Sequence, residues 1–397
     1  MRALLLGLFC CTLLAASTMK LRDPLKHPGW QHFYNNEYDQ ALAAFEQKAH
    51  EHPEDPEAYN HIAQAVLYRE MFRSGALESQ LVTGNNPFLR RAKMGVSPDV
   101  RKQFQDALDK AIDLGNAELK EDANSIPALY ALSVAHGLRA NYAFLVEKAW
   151  SQALHEATTS RKYSDRILAV DPKFVDAYLI QGLHDYVVGS LPFYVRMFGF
   201  LAGFHGDREL GIRELQDVAQ HGVLNKYDAQ ILLAAIYRRE HKPEQAIPLL
   251  KECAARFPRN YLLRLEEVQM YSDAGNKTAA LQVLDDVSRL QAEHAPGYRN
   301  LPVEKIAYLR GNLLFWYGDF NPALADMKRA TSNASRLDLG TAVLAWLRLG
   351  QLYDLQGEHV QAVEAYKETM RTAPESPAAK EAKGYISAPY QRKRPNG

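Results

Sequence analysis

The sequence predicts an all-α solenoid of antiparallel helix hairpins with an irregular helical insertion in the middle, and three observations predict it. Apolar residues recur at the spacing of one helix face, as in Leu233, Ala234, Ile236 and Tyr237, which gives each helix a single stripe to bury. A set of small and large residues, Tyr237, Ala246, Leu250 and Cys253, returns 34 positions later as Tyr271, Ala280, Leu284 and Val287. Glycines at 275, 318 and 357 fall where a first helix must end, because glycine adopts the left-handed helix-closing conformation without steric cost. A hairpin that buries one face is unstable alone, so such units stack into a continuous array.

The 397 residues carry 47 Lys+Arg against 47 Asp+Glu, and 47% are hydrophobic. That is ordinary globular composition, and the charge balance advertises no polyanion-binding surface, so nucleic acid is not an expected partner. Residues 1–18 read as a secretory signal peptide. Met1 and Arg2 precede an apolar run at 3–14, and Ala15, Ala16, Ser17 and Thr18 form the small-residue exit, in a segment too short to cross a bilayer comfortably. Retention as an uncleaved anchor is the other reading. Lipid attachment at Cys10 or Cys11 fits less well, since Phe9 or Cys10 would stand where a small residue is usual. The expected protein is exported, periplasmic or associated with a bacterial cell envelope. Cleavage leaves Cys253 as the lone thiol, so stability has to come from packing rather than from a disulfide.

Residues 19–226 form a divergent N-terminal helical region with insertions. Ala41, Phe45 and Pro53 mark the second helix of one hairpin, and Tyr59, Ile62 and Ala63 open the next. A loop at 84–98 carries Arg90, Arg91 and Lys93 beside Phe88 and is expected to be solvated. Pro127, Leu129, Leu132 and Ser133 begin a repeat, and Asp171, Pro172, Tyr178 and Gly182 begin another. The stretch between them, with Tyr142, Phe144, Val146, Trp150, Leu154, Tyr163, Ile167 and Leu168, reads as one long buried helix.

The insertion at 186–204 holds Leu191, Phe193, Tyr194, Phe198, Phe200 and Phe204 with Arg196 as its single charge. Its length suits a membrane span, but Pro192 and several glycines interrupt it, so folding onto the solenoid is expected. Those apolar side chains offer an alternative pocket for a small apolar ligand, or a shallow peripheral membrane contact. Asp207-Arg208-Glu209 then suits a helix N-terminus. Residues 227–383 form the regular array, with a longer step of 43 positions between Ala280 and Ala323 that fits a loop around Pro296, Gly297 and Pro302. Residues 384–397, with Arg392, Lys393 and Arg394, read as a flexible basic tail.

Trp346, Leu349, Gly350 and Tyr353, followed by Gly357, Ala362, Tyr366 and Pro374, closely resemble the tetratricopeptide (TPR) pattern of W-x2-L-G-x2-Y, A-x3-F and P. The resemblance implies a concave groove lined by first-helix side chains, here Asp228, Arg238, Gln269, Lys305, Tyr308, Asn312, Phe315, Gln351 and Asp354. A polar lining with aromatic anchors suits an extended peptide or helix from a protein partner. The carboxylate clamp of chaperone-tail binders is not reproduced, because Leu309 stands where a second cation would join Lys305. A second string, Gly189-x-Leu191-Pro192 and then Gly203-Phe204-x-Gly206-Asp207-Arg208-Glu209-x-Gly211, resembles the central motif of the inclusion-body-clearance TPR family. That implies a helical-repeat protein without a catalytic centre. Exported TPR subunits of solute transporters are similar by fold and export alone, an analogy that supplies the ligand-carrier alternative.

Enzyme signatures are missing. His50 and His52 flank Glu51, His61 follows, and His155-Glu156 and His184-Asp185 are isolated pairs. None has the H-E-x-x-H spacing that aims two imidazoles at one metal, and no nucleophile elbow, P-loop or dinucleotide turn occurs. Asp185 and Tyr186 become candidates only if folding places them in a polar cleft. The expectation is a non-catalytic scaffold with no cofactor and no metal.

Overall fold

The computed structural model describes residues 19–77, 94–191 and 206–392. Among these the chain forms seventeen α-helices and no strand. They pair as α1 (Pro28–Tyr34) with α2 (Tyr38–Glu51), α3 (Pro56–Arg73) with α4 (Pro98–Glu121), and α5 (Ile126–Tyr142) with α6 (Trp150–Val170). Next come α7 (Tyr178–Gly189) with α8 (Arg208–His221), α9 (Lys226–Arg239) with α10 (Pro243–Arg256), and α11 (Tyr261–Asp273) with α12 (Lys277–Ala292). The array ends with α13 (Val303–Tyr317) and α14 (Phe320–Thr331), α15 (Leu339–Leu355) and α16 (His359–Thr372), and a last helix α17 (Pro377–Ser387).

Local chemistry sets the helix starts. Asp55, Ser97, Ser125 and Ser376 each accept a backbone N–H of the first turn, and each precedes a proline at the first or second helical position. Proline has no N–H to lose there and its fixed φ is already helical. Asp207 caps α8 in the same way, accepting from the amides of Glu209 and Leu210. At the turns, Gly275, Gly318 and Gly357 take positive φ as their positions predict.

The hairpins close on small residues. Ala41, Ala246, Ala280, Ala323 and Ala362 are all completely buried, and a Cβ at Gly350 would lie 2.6 Å from Cδ1 of Tyr366. Replacing Ala246, Ala280 or Ala362 by leucine forces the crossing helices apart and is expected to cost about 1–3 kcal/mol each by overpacking. Thermal melts of the three variants that matched wild type would reject these crossings.

Two expectations change. The stretch read as one long central helix from Tyr142 is a single helix, α6, only from Trp150 on, because α5 ends at Tyr142 in a π-turn at Ala143–Glu147 and Lys148 adopts φ +57°. The break lets Ser133 and Ser160 exchange backbone-directed hydrogen bonds across α5 and α6, with Oγ–O distances of 2.9 and 2.6 Å. The tail read as flexible from 384 is helical through Ser387, and Tyr390 and Arg392 are bonded to the last hairpins.

Between repeats, the array coils until its first hairpin meets its fifth and sixth. Tyr34 stacks on Phe257 with ring centres 4.7 Å apart and donates to Asp228 Oδ2 at 2.7 Å. Asn36 donates to Asn260 Oδ1 at 2.6 Å, and Arg259 grips both oxygens of Glu37 at 2.7 and 2.9 Å. One buried cluster therefore joins Leu25, Phe33 and Phe45 to Leu233, Cys253 and Met270. The boundary at 226 marks a change in repeat regularity within that shared core.

Candidate functional site

The coiling decides which inner-face residues meet solvent. Asp228 is half-buried and accepts from the Tyr34 hydroxyl, and desolvation pushes its carboxyl up to about 6 despite that hydrogen bond. Arg238 donates to Asp273 at 2.8 Å and to Gln269 Oε1 at 2.7 Å. Lys305 is buried and donates to Asp338 Oδ2 and Thr341 Oγ1, both at 2.7 Å, which ties α13 to the start of α15. Tyr308 is 2% exposed. The open-groove reading is thus corrected for Lys305 and Tyr308, which are buried, while Asp228 stays half-buried with one carboxylate oxygen engaged by Tyr34 across the coil.

The last repeats bring Asn312, Phe315, Gln351 and Asp354 into one polar and aromatic site. Phe315 is fully buried, so it serves as floor rather than as a free anchor. Over it lies Arg348, which the groove positions had missed. Its guanidinium is 3.9 Å from the Phe315 ring centre and 4.8 Å from that of Trp316, the cation-on-face geometry that holds a desolvated arginine. Arg348 donates to Asn312 Oδ1 at 3.1 Å and to Gln351 Oε1 at 2.6 Å, and Gln351 donates onward to Glu381 at 3.3 Å. Burial lowers the Arg348 pKa, with nearby tyrosines and Glu381 opposing it. A spacing of one helical turn between Arg348 and Gln351 was the signal available in the sequence.

Asp354 is the hub. Its carboxylate accepts from the Tyr366 hydroxyl at 2.6 Å and the Tyr390 amide at 2.7 Å, and lies 2.6 Å from His359 Nδ1. The hydrogen bond to Asp354 is the main cause raising the His359 pKa. Burial first, then Asp354, raises the Tyr366 phenol. Residues 388–392 cross this site as an extended segment. Tyr390 sets its ring 5.3 Å from Tyr385 and 6.1 Å from Phe315. Arg392 donates to the carbonyls of Phe315 at 3.3 Å and Trp316 at 2.7 Å, which are end-of-helix acceptors that favour a cation. Trp316 remains 55% exposed beside them.

Of the alternative pocket, Leu191 is half-buried, and Phe193, Tyr194, Phe198, Phe200 and Phe204 lie outside the described residues. So do the signal segment and the cluster of Phe88, Arg90, Arg91 and Lys93. The motif glycines flanking the insertion have a packing role. A Cβ at Gly206 would lie 2.6 Å from Val188 Cβ and 2.7 Å from the Gly189 amide, so the chain enters and leaves the insertion through a backbone contact.

Among the described residues no group of three or more His, Cys, Asp and Glu could hold a metal, and no helix is long and apolar enough to cross a membrane. Cys253 is buried, donates to Gln230 at 3.2 Å, and has its thiol pushed by burial up to about 12. Asp185 and Tyr186 fall in ion-paired packing. Arg161 donates to Asp185 at 2.5 Å, and Tyr186 donates to Glu240 at 2.9 Å.

Beside that pair, burial and the Asp185 charge push Glu214 up to about 7, and its Oε2 has no hydrogen-bond partner among the described residues. Its folded pKa exceeds its unfolded one. Its stabilising contribution is therefore full below about pH 4.5 and disappears as pH rises through about 7. Glu214→Gln is expected to gain about 1–2 kcal/mol over wild type at pH 8, after discounting for solvent screening at a half-exposed group. No advantage should remain at pH 4.5. Equal urea midpoints at both pH values would contradict this.

Tetratricopeptide-repeat family models match residues 29–69, 237–301 and 308–377. These segments match tetratricopeptide repeats and include α15, α16 and most of α13, while α17 lies beyond them. A comparison with curated proteins finds no match. Among solved structures, yeast Tom70 is 13% identical, with 92% of this chain and 88% of that chain covered at a TM-score of 0.40. The human IFIT1 dimer with m7Gppp-AAAA is 12% identical, covering 92% and 81% at 0.43. A tetratricopeptide repeat protein from Parabacteroides merdae is 12% identical, covering 78% and 91% at 0.30. Superpositions this loose say nothing of what this chain binds.

Proposed function

We propose that the chain is an exported, non-catalytic interaction scaffold of a bacterial envelope that holds an extended segment of a protein partner on the inner ends of α13, α15 and α17. The observation that carries this reading is the site at Asp354 and the α13 carbonyls, where a side chain and backbone groups already hold residues 388–392. Preformed acceptors and stacked aromatics reduce the ordering cost of a bound peptide. Export rests on the signal-like residues 1–18.

Tyr308 and Phe315 are packed too deeply to test binding without unfolding. Trp316 is the better probe. A photoreactive amino acid in its place is expected to capture a protein in envelope fractions, and Trp316→Ala should lose that partner with an unchanged melting temperature. The captured chain should begin near residue 18. No captured protein, together with a bound small molecule in native mass spectrometry, would transfer the function to the apolar insertion, as in the ligand-carrier alternative. Full-length chain starting at Met1 in the cytosol would refute export.

A further inference from the structure

We infer that residues 388–392 are an internal competitor for the groove and that the partner it accepts is an extended peptide with an aromatic residue followed two positions later by arginine. This rests on the groove reading above and specifies its occupant. Two anchors at alternate positions hold the segment. Tyr390 contributes its ring and its amide, and Arg392 contributes its guanidinium. Between them Gln391 is exposed, as are Ala388 and Pro389 before them. Over residues 390–392 that alternation matches the two-residue period of an extended chain, in which every second side chain faces the receptor.

Each anchor is matched by a group that residues outside the tail also hold. The carboxylate of Asp354 is held by Tyr366 with His359 beside it, and is turned toward the Tyr390 amide. The Phe315 and Trp316 carbonyls end α13, and Arg392 reaches both although the Gly318 amide already donates to that of Phe315. They lie at the negative pole of the helix, and the Phe320 ring centre is 5.6 Å from the arriving guanidinium. A lysine would meet the two carbonyls with a single point of charge, whereas the arginine fork addresses both. Tyr390 and Arg392 are only half-buried. A segment with the same two anchors presented by a partner therefore exchanges like for like, with the covalent link of the tail supplying a high local concentration in its favour.

The test uses the full-length chain and the Tyr390→Ala/Arg392→Ala double variant, with fluorescence anisotropy of labelled acetyl-Ala-Pro-Tyr-Gln-Arg-amide. The released variant is expected to bind at least tenfold more tightly than wild type, and the swapped peptide acetyl-Ala-Pro-Arg-Gln-Tyr-amide at least tenfold more weakly. Equal affinity for wild type and variant, or for the two peptides, overturns the inference. A variant that loses stability and gains no binding marks the tail as a structural cap and also overturns it. Should the double variant not fold, Arg392→Gln alone must show the same direction of change. If the variant ignores both peptides but takes others from a displayed library in a Trp316-dependent way, the groove stands and the internal competitor falls. If it takes none, both fall.

Discussion

Replacing Asp176 by alanine is expected to cost about 2–4 kcal/mol, since three partly buried backbone donors lose their acceptor and each sits near the lower end of the about 1–3 kcal/mol for an unsatisfied group. Asp176 is 1% exposed and sits in the short turn Val175–Ala177 before α7. Its Oδ1 accepts from the amides of Leu224 at 2.9 Å and Asn225 at 2.8 Å, and its Oδ2 accepts from Val223 at 3.1 Å. The Asn225 side chain closes the loop onto the Asp176 carbonyl at 3.1 Å. One carboxylate thus clamps the entry to α9 from one hairpin back along the chain. Burial still leaves its pKa raised, with the three backbone donors pulling the other way. Asparagine keeps one acceptor oxygen, so Asp176→Asn should cost about half as much as alanine. Urea unfolding separates the three proteins, and an alanine variant within about 1 kcal/mol of wild type would show that water satisfies the loop instead.

Gly211→Val carries the other large effect, about 3 kcal/mol or more, at the upper end of overpacking because the opposing atoms are backbone. The crossing of α7 and α8 is made by Gly182 and Gly211. A Cβ at Gly211 would press on the Gly182 carbonyl and lie 2.5 Å from the Tyr186 amide, and one at Gly182 would lie 2.8 Å from the Gly211 carbonyl. Side chains can swing aside, but two helix backbones have to separate. Separation also disturbs Tyr186 and Arg208, which both bond Glu240 of α9, at 2.9 and 3.0 Å. Gly384 in α17 is the control. A Cβ there meets nothing within 4 Å, so Gly384→Ala should be neutral or stabilising by about 0.5–1 kcal/mol through helix propensity. If Gly211→Val and Gly384→Ala melted alike, the close crossing would be refuted.

Gly211 also explains why a motif resemblance was visible. Gly189, Gly206 and Gly211 are spaced so that backbone can meet backbone around the insertion. Packing accounts for those three positions, and no functional side chain is needed there.

By itself the sequence determined the hairpin, its turns and its repeat. Helix periodicity, the 34-residue step and capping chemistry act within a few turns of chain, and the alanines and glycines assigned to helix crossings lie buried where that pattern put them. Contacts between residues some 220 apart were decided only by tertiary structure. The array's curvature sums small rotations at each repeat, and it is this sum that brings Tyr34 and Glu37 onto Asp228 and Arg259. Tertiary packing likewise engaged Asp228 with Tyr34, withdrew Tyr308 from solvent, set Arg348 in the site, and laid Tyr390 and Arg392 across it. Local spacing assigns a side chain to a helix face, but packing between distant turns of the coil chooses whether that face meets water.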